Sequence, residues 1–571
     1  MSKTRIYISL AMQMAIISFI VRQFQQSGTL TTIQSFIEAR YLPATSCGWL
    51  DKTREFVILS DNIVLSHGTY PGFVHVRGSL IADVAVGGKG KDRHKIATDN
   101  LGEKLMTTVL LIDYQSAYVS PGIIDVHVHM DEPGRTHWEG VETATKAAAA
   151  GGVTMVVDMP LNNDPPTTTP LLLKQKIQAV RNKTHVNVGF WGGIVPENAG
   201  DAGVLHGMAK AGALGFKSFL SPSGLDTFSN VAISDVAQAL PTIRSLGMPY
   251  LVHAELVDDE ATPPAGADAR KHSTWLNSRP KRFEANAIMA LIGEVKSLLA
   301  SDKKRQEEEA QRPFNVWFDA YKKFIGIDTK KVERLQAAAT ERRRKRISVG
   351  FDLHIVHLAN GDMLGEIQAA KTAGLPITAE VCPHHLTFPA EDIQDGNTLY
   401  KCAPPLREQE NIDKLWRGVA DGIIDNFSTD HSPCEPSLKE LESGDFLKAW
   451  GGIAGLQYAL AATWDGARKR QLQPQLLARL WSEFPARLAG VGERKGRLKM
   501  GQDADIVVWD PDSLADTSTK GLQHRHKGTP YAGREMYGKV LATFVSGRQV
   551  FEENKGVSTD VCGSLVLGRQ V

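Results

Sequence analysis

With 571 residues, 42% hydrophobic and 23% charged, the chain can bury large cores without cross-links, which excludes collagen-like, coiled-coil and wholly disordered readings. Lys and Arg number 65 against 64 Asp and Glu, so a formal net charge of +1 gives no global pull toward nucleic acid or an anionic membrane. The five cysteines (Cys47, Cys382, Cys402, Cys434 and Cys562) are odd in number and include no C-x-x-C, which argues against a disulfide scaffold or a cysteine-based zinc site and for a reducing compartment.

Residues 1–55 form an extension. Its apolar run from Ile6 to Val21 follows Lys3 and Arg5, and no acidic residue precedes Glu38. The run is short of the ~20 residues that span a membrane, so the extension reads as a disordered or targeting segment. With no firm address signal, a cytoplasmic location without stable membrane association is expected.

Residues 56–118 show short strands at period two, such as Phe56-Val-Ile-Leu-Ser60 and Phe73-Val-His-Val-Arg77, and predict a small β domain. Lys89 to Lys104, rich in Gly, Lys and Asp, reads as a surface loop. From 119 to 490 apolar runs alternate with alanine-rich helical stretches. Val153-Thr-Met-Val-Val-Asp158, Gly215-Phe-Lys-Ser-Phe-Leu220, Pro249-Tyr-Leu-Val-His253, Leu353-His-Ile-Val-His357 and Ile377-Thr-Ala-Glu-Val381 are examples. Such βα alternation predicts a parallel sheet, and about eight repeats predict an α/β fold, a (β/α)8 TIM-like barrel.

The charged stretch 301–346, ending in Arg342-Arg-Arg-Lys-Arg346, interrupts that rhythm and reads as a solvated helical insert. Strand patterns return at 491–553, so the two chain ends are expected to build one small β-sandwich beside the barrel, with 554–571 as a tail.

The chemistry concentrates at predicted strand ends. His127 and His129 sit two apart in Pro121-Gly-Ile-Ile-Asp-Val-His-Val-His129, so both imidazoles share one face of a strand. Lys217 lies inside an apolar run, where an ammonium is costly unless paired or neutralised. His253, His357 and Asp430 each close another run. At the C-terminal mouth of a barrel this nitrogen and oxygen set suits Zn2+.

The sequence resembles the cyclic-amidohydrolase branch of the amidohydrolase superfamily, most closely its allantoinases. The resemblance is carried by Asp125-Val-His-Val-His-Met-Asp-Glu-Pro-Gly-Arg-Thr-His-Trp-Glu-Gly140, Gly215-Phe-Lys-Ser-Phe-Leu220, Cys382-Pro-His-His-Leu-Thr-Phe388, Lys401-Cys-Ala-Pro-Pro-Leu-Arg407 and Ser428-Thr-Asp-His-Ser-Pro-Cys434. It implies two Zn2+ per subunit, one held by His127, His129 and Asp430 and the other by His253 and His357, with a carboxylated Lys217 bridging them. It further implies hydrolysis of a cyclic amide by a zinc-bridging hydroxide, with Asp430 as catalytic proton shuttle. Allantoin, opened to allantoate, is the expected small-molecule substrate, and a homo-oligomer, tetramer or dimer, is the expected assembly.

Within that resemblance, the dihydroorotases place a carboxylate-gripping arginine where this chain has Asp131, which counts against dihydroorotate. Asp131, Cys402 and Ser432 are candidate substrate contacts. A dihydropyrimidinase- or hydantoinase-type substrate is the alternative. The other class, a non-catalytic adaptor on the same fold, is opposed by six competent residues at the six ligand positions.

Overall fold

A computed structural model describes residues 47–50, 55–258, 266–311 and 351–568. Most of the N-terminal extension and most of the charged insert, including its basic run, lie outside the described residues.

The first strands are β1 (Glu55–Leu65), β2 (Gly68–Arg77), β3 (Leu80–Val86), β4 (Leu110–Asp113) and β5 (Tyr118–Pro121). The segment from Lys89 to Lys104 is not a loop. It holds the helix Arg93–Leu101 and the start of a second, Glu103–Thr108. The reason lies in β1, which is apolar on both faces. Phe56 and Ile58 belong to one core cluster, while Val57 and Leu59 join Phe73, Ile96 and Ala97 in another. The outer face therefore needs a cover, and the first helix supplies it. Asp92 starts that helix by accepting the Lys95 N–H at 2.8 Å.

The barrel strands follow: β6 (Ile123–Val128), β7 (Val153–Asp158), β8 (Asn187–Phe190), β9 (Gly192–Gly193), β10 (Phe216–Phe219), β11 (Tyr250–His253), β12 (Leu353–Ile355), β13 (Ile377–Val381) and β14 (Asn426–Phe427). All pair in parallel, as β6-β7-β8 and as β9 through β14 in order. Only Trp191 separates β8 from β9. Four residues beyond β14 the chain meets β6: Val128 bridges in parallel to His431, and the His129 N–H donates to His431 O at 2.8 Å. This is a TIM-barrel-type α/β arrangement. Its strands are buried on both faces, as parallel strands covered by helices must be.

Two apolar layers explain the burial. Ile124, Val126, Met155, Val157, Trp191 and Leu251 form an inner cluster. Val153, Val156, Val188, Phe216, Val252 and Ile355 face outward onto helix residues such as Ala144, Ala148, Leu173 and Val236.

The chain then returns to the first sheet with β15 (Ile506–Leu514), β16 (Tyr537–Val545), β17 (Arg548–Glu552) and β18 (Gly556–Val557). Nine strands share one hydrogen-bonded sheet, in the order β18-β17-β16-β15-β5-β1-β2-β3 with β4 beside β1. The sheet curls so that Phe56 stacks on Phe544 at 5.5 Å between centroids.

Two terminal features were not foreseen. Cys47 and Cys562 are joined by a disulfide, so the cysteine pattern that argued against disulfides conceals one pair. The tail beyond β18 runs along the barrel, where the Val188 N–H donates to Ser564 O and the Val566 N–H to Val188 O. Among the described residues, no helix is long and apolar enough to cross a membrane.

Candidate active site

His127 is the fifth residue of β6 and His129 lies just beyond its end. Their placement depends on a β-bulge. Ile124 and Val126 pack into the inner cluster, so strict alternation would turn His127 outward. The β6–β7 register shifts between Asp125 and Val128, and beyond it His127 and His129 both line the central cavity. Asp125 pins the bulge: its Oδ1 accepts the His127 N–H at 3.2 Å and the Thr429 N–H at 3.1 Å.

Lys217 is inside β10 and His253 ends β11, and these strands are neighbours. His357 follows β12 by two residues and Asp430 follows β14 by three. Both turn the chain with left-handed backbone, φ 41° and 45°. A non-glycine residue held there costs about 1–3 kcal/mol, a strain that folds keep where a side chain must be aimed.

Five of the six candidates line one cavity of about 390 Å³: His127, His129, His253, His357 and Asp430. Lys217 lies beneath them, fully buried, its Nζ 3.5 Å from the Phe219 ring centroid and donating to Ser218 O at 3.1 Å. Ring centroids are 5.6 Å apart for His127 and His129, 5.4 Å for His127 and His357, and 4.5 Å for His253 and His357.

Scaffold partners fix which ring nitrogens face inward. His127 Nδ1 lies 2.6 Å from Glu380 Oε1, and its Nε2 lies 3.2 Å from Asp430 Oδ1. His129 Nδ1 donates to Leu161 O at 2.8 Å, leaving Nε2 3.4 Å from Asp430 Oδ1. His253 Nε2 meets Glu255 Oε2 at 2.7 Å. His357 Nδ1 is buried with no hydrogen-bond partner.

Burial strips charge from several of these groups. It lowers Lys217 to about 7 and His253 to about 4, and holds His357 well below the usual histidine value. Asp430 and Glu380 go the other way. Burial pushes each carboxyl up, but neighbouring imidazoles outweigh it and hold both well below the usual carboxylate range.

The residues fit a cation. His127, His357 and Asp430 offer three ligand atoms within 4.8 Å of one another, an imidazole nitrogen is orphaned, and the donors are nitrogen and oxygen.

The sequence missed Glu380, which faces His127 and also lies 3.1 Å from His354 Nε2. Its signal was present, since a carboxylate inside Ile377-Thr-Ala-Glu-Val381 is as anomalous as Lys217 in its own strand. It also missed the roles of the Arg279–Glu255 pair and Asn162, whose partners lie far off in the chain.

Of the three proposed substrate contacts, Cys402 and Ser432 line the cavity. Asp131 is set back: its Oδ1 accepts from Asn162 Nδ2 at 3.2 Å, and it is Asn162 that reaches the cavity. Burial, then the Asp158 carboxylate, raises its carboxyl well above the usual range. Asp131 therefore meets the cavity only through Asn162.

Comparison with known proteins decides the family. The amidohydrolase family profile matches residues 118–263 and 332–550. The chain belongs to the amidohydrolase family. Among characterised amidohydrolases it is similar to the allantoinase of Arabidopsis thaliana, 40% identical over 514 residues that cover 89% of this chain and 90% of that one. The allantoinase of Saccharomyces cerevisiae is 33% identical, with 89% and 98% covered. The L-hydantoinase (dihydropyrimidinase) of Arthrobacter aurescens shares the fold, with a TM-score of 0.72 at 23% identity and coverage of 90% and 100%.

Proposed function

We propose that this amidohydrolase opens the ring of allantoin by hydrolysing a cyclic amide bond, giving allantoate. The observation that carries the reading is the convergence of His127, His129, His253, His357 and Asp430 on one cavity at the strand ends, above a buried lysine, in a chain 40% identical to an allantoinase.

His127 and His129 through Nε2, with Asp430, would hold one Zn2+. His253 through Nδ1 and His357 would hold the second, with Lys217 as a carbamate between them. Burial favours that modification, because an amine must be neutral to take up carbon dioxide and Lys217 is lowered to about 7. When bound, the two ions supply a water acidified to near neutrality and polarise the ring carbonyl.

The chain's own residues do the rest. Asp430 Oδ1 faces both imidazoles, so Oδ2 is assigned to accept a proton from the attacking water and pass it to the leaving ring nitrogen. Glu380 and Leu161 O keep His127 and His129 in the tautomers that present Nε2. A neutral ring fits the cavity: on its wall Arg279 is already paired with the Glu255 carboxylate, Lys401 already donates to the Leu447 and Ala449 carbonyls, and Asn162, Ser432 and backbone groups offer hydrogen bonds. The small β domain at 56–118 and 491–553 and the barrel at 119–490 remain the proposed domains.

The test is ring opening of allantoin beside hydantoin, dihydrouracil and dihydroorotate with one preparation. Preferred turnover of allantoin is expected. Preference for another ring would discard the substrate and keep the site.

A further inference from the structure

A second donor cluster lies outside these six residues. Cys382 ends the turn out of β13, and His384 and His385 follow in a short helix, Pro383–Thr387. All three are buried. Each offers a ligand atom, and these atoms lie within 4.8 Å of one another.

Their hydrogen bonding is incomplete in a way that points to a ligand. Both ring nitrogens of His384 and Nδ1 of His385 are buried without a partner. Such orphans are rare in folded proteins, and although His185 and His272 are orphaned too, among the described residues only this cluster gathers three close donor atoms that include a thiol. His385 Nε2 is anchored, 3.1 Å from Pro404 O, which leaves Nδ1 as the open position. A second thiol is adjacent, with Cys402 Sγ 3.9 Å from His385 Nε2.

Burial, and beyond it the carboxylates of Asp430, Glu380 and Asp125, keep the proton on the Cys382 thiol, so a thiolate here needs a cation bound to it. A thiol beside two imidazoles is the donor set of a borderline or soft ion.

We propose that Cys382, His384 and His385 form a separate site for a thiophilic divalent cation, Zn2+ or Cd2+. Binding forms one metal–sulfur and two metal–nitrogen bonds, and the Cys382 thiol proton leaves to solvent. A tetrahedral ion needs its ligand atoms roughly 3.4–3.8 Å apart, so binding must draw these three together. The site is independent of which ring the enzyme opens.

Cadmium added to the holoenzyme tests this, because a cadmium–thiolate pair absorbs in the ultraviolet. The six candidate residues of the catalytic centre carry no sulfur, and a band from Cys402 on the wall of that cavity would survive Cys382→Ser. The expected result is a band that saturates at one cadmium per chain, is lost in Cys382→Ser and is kept in Cys434→Ser. Should Cys382→Ser not fold, His385→Gln decides. It keeps every thiol, yet binding should weaken by about 10–100-fold or more. No band in the wild type, a band that survives Cys382→Ser, or undiminished affinity in His385→Gln would overturn the proposal.

Discussion

His127, His129 and His253 each commit one ring nitrogen to a scaffold oxygen, which leaves the other for the cavity. That is how a fold chooses tautomers before a metal arrives. Lys217 is the residue with the least conventional setting, an amine under imidazoles with no carboxylate in hydrogen-bond contact. Lys217→Ala should therefore lose both bound zinc and turnover, and short carboxylic acids added to the variant should restore part of each. Full activity with two zincs retained would remove Lys217 from the site. Asp430→Asn keeps an oxygen near His127 and His129 but cannot take a proton. Turnover should fall by ~10²–10⁴ with metal partly retained, and an unchanged rate would end its assignment as shuttle.

At the scale of elements, the site depends on where strands stop and bend. The bulge in β6 turns His127 and His129 into the cavity, and Glu380 on β13 reaches across to hold His127 and His354. Glu380→Gln weakens that brace without emptying it, so metal affinity should drop by about 10–100-fold, read as faster zinc loss to a chelator. Equal loss rates would show that Glu380 does not hold the site.

Much of this scale was legible in the sequence. The pairing of H-x-H with histidines and an aspartate at later strand ends pointed to the mouth of the barrel; any one such residue is more often a core or cap residue, and only their joint placement carried the reading. The bulge was not legible, since alternation around Ile124 and Val126 points the other way. The helix Arg93–Leu101 was missed because its composition is that of a loop; only the doubly apolar face of β1 revealed the need for it. Arg279 and Asn162 reach the cavity from segments with no periodic pattern.

Across the whole molecule, the sheet and barrel are locked side by side. Thr543 Oγ1 donates to Ala149 O at 2.7 Å, and Trp464 Nε1 donates to Pro511 O at 2.9 Å. The Cys47–Cys562 disulfide ties residue 47 to the segment whose 563–568 stretch hydrogen-bonds along the barrel. Stability should depend on pH through buried neutral histidines. His272 packs edge-on to Phe446 with both ring nitrogens unpartnered, and burial lowers it from 6.5 to about 4. Its folded value lies below its unfolded one, so its contribution is intact above pH 6.5 and is lost as pH falls toward 4. His272→Phe should therefore lose less thermal stability than the wild type between about pH 7 and about pH 4.5. Identical slopes would contradict the assignment.

Ring opening is proposed to depend on metal held by these six side chains. One preparation decides it: zinc per chain and allantoin turnover are measured before chelation, after it, and after zinc is returned. About two zincs in the N,O centre are expected, with turnover that disappears and returns with them. Undiminished turnover in metal-free protein would show that the ring opens without metal.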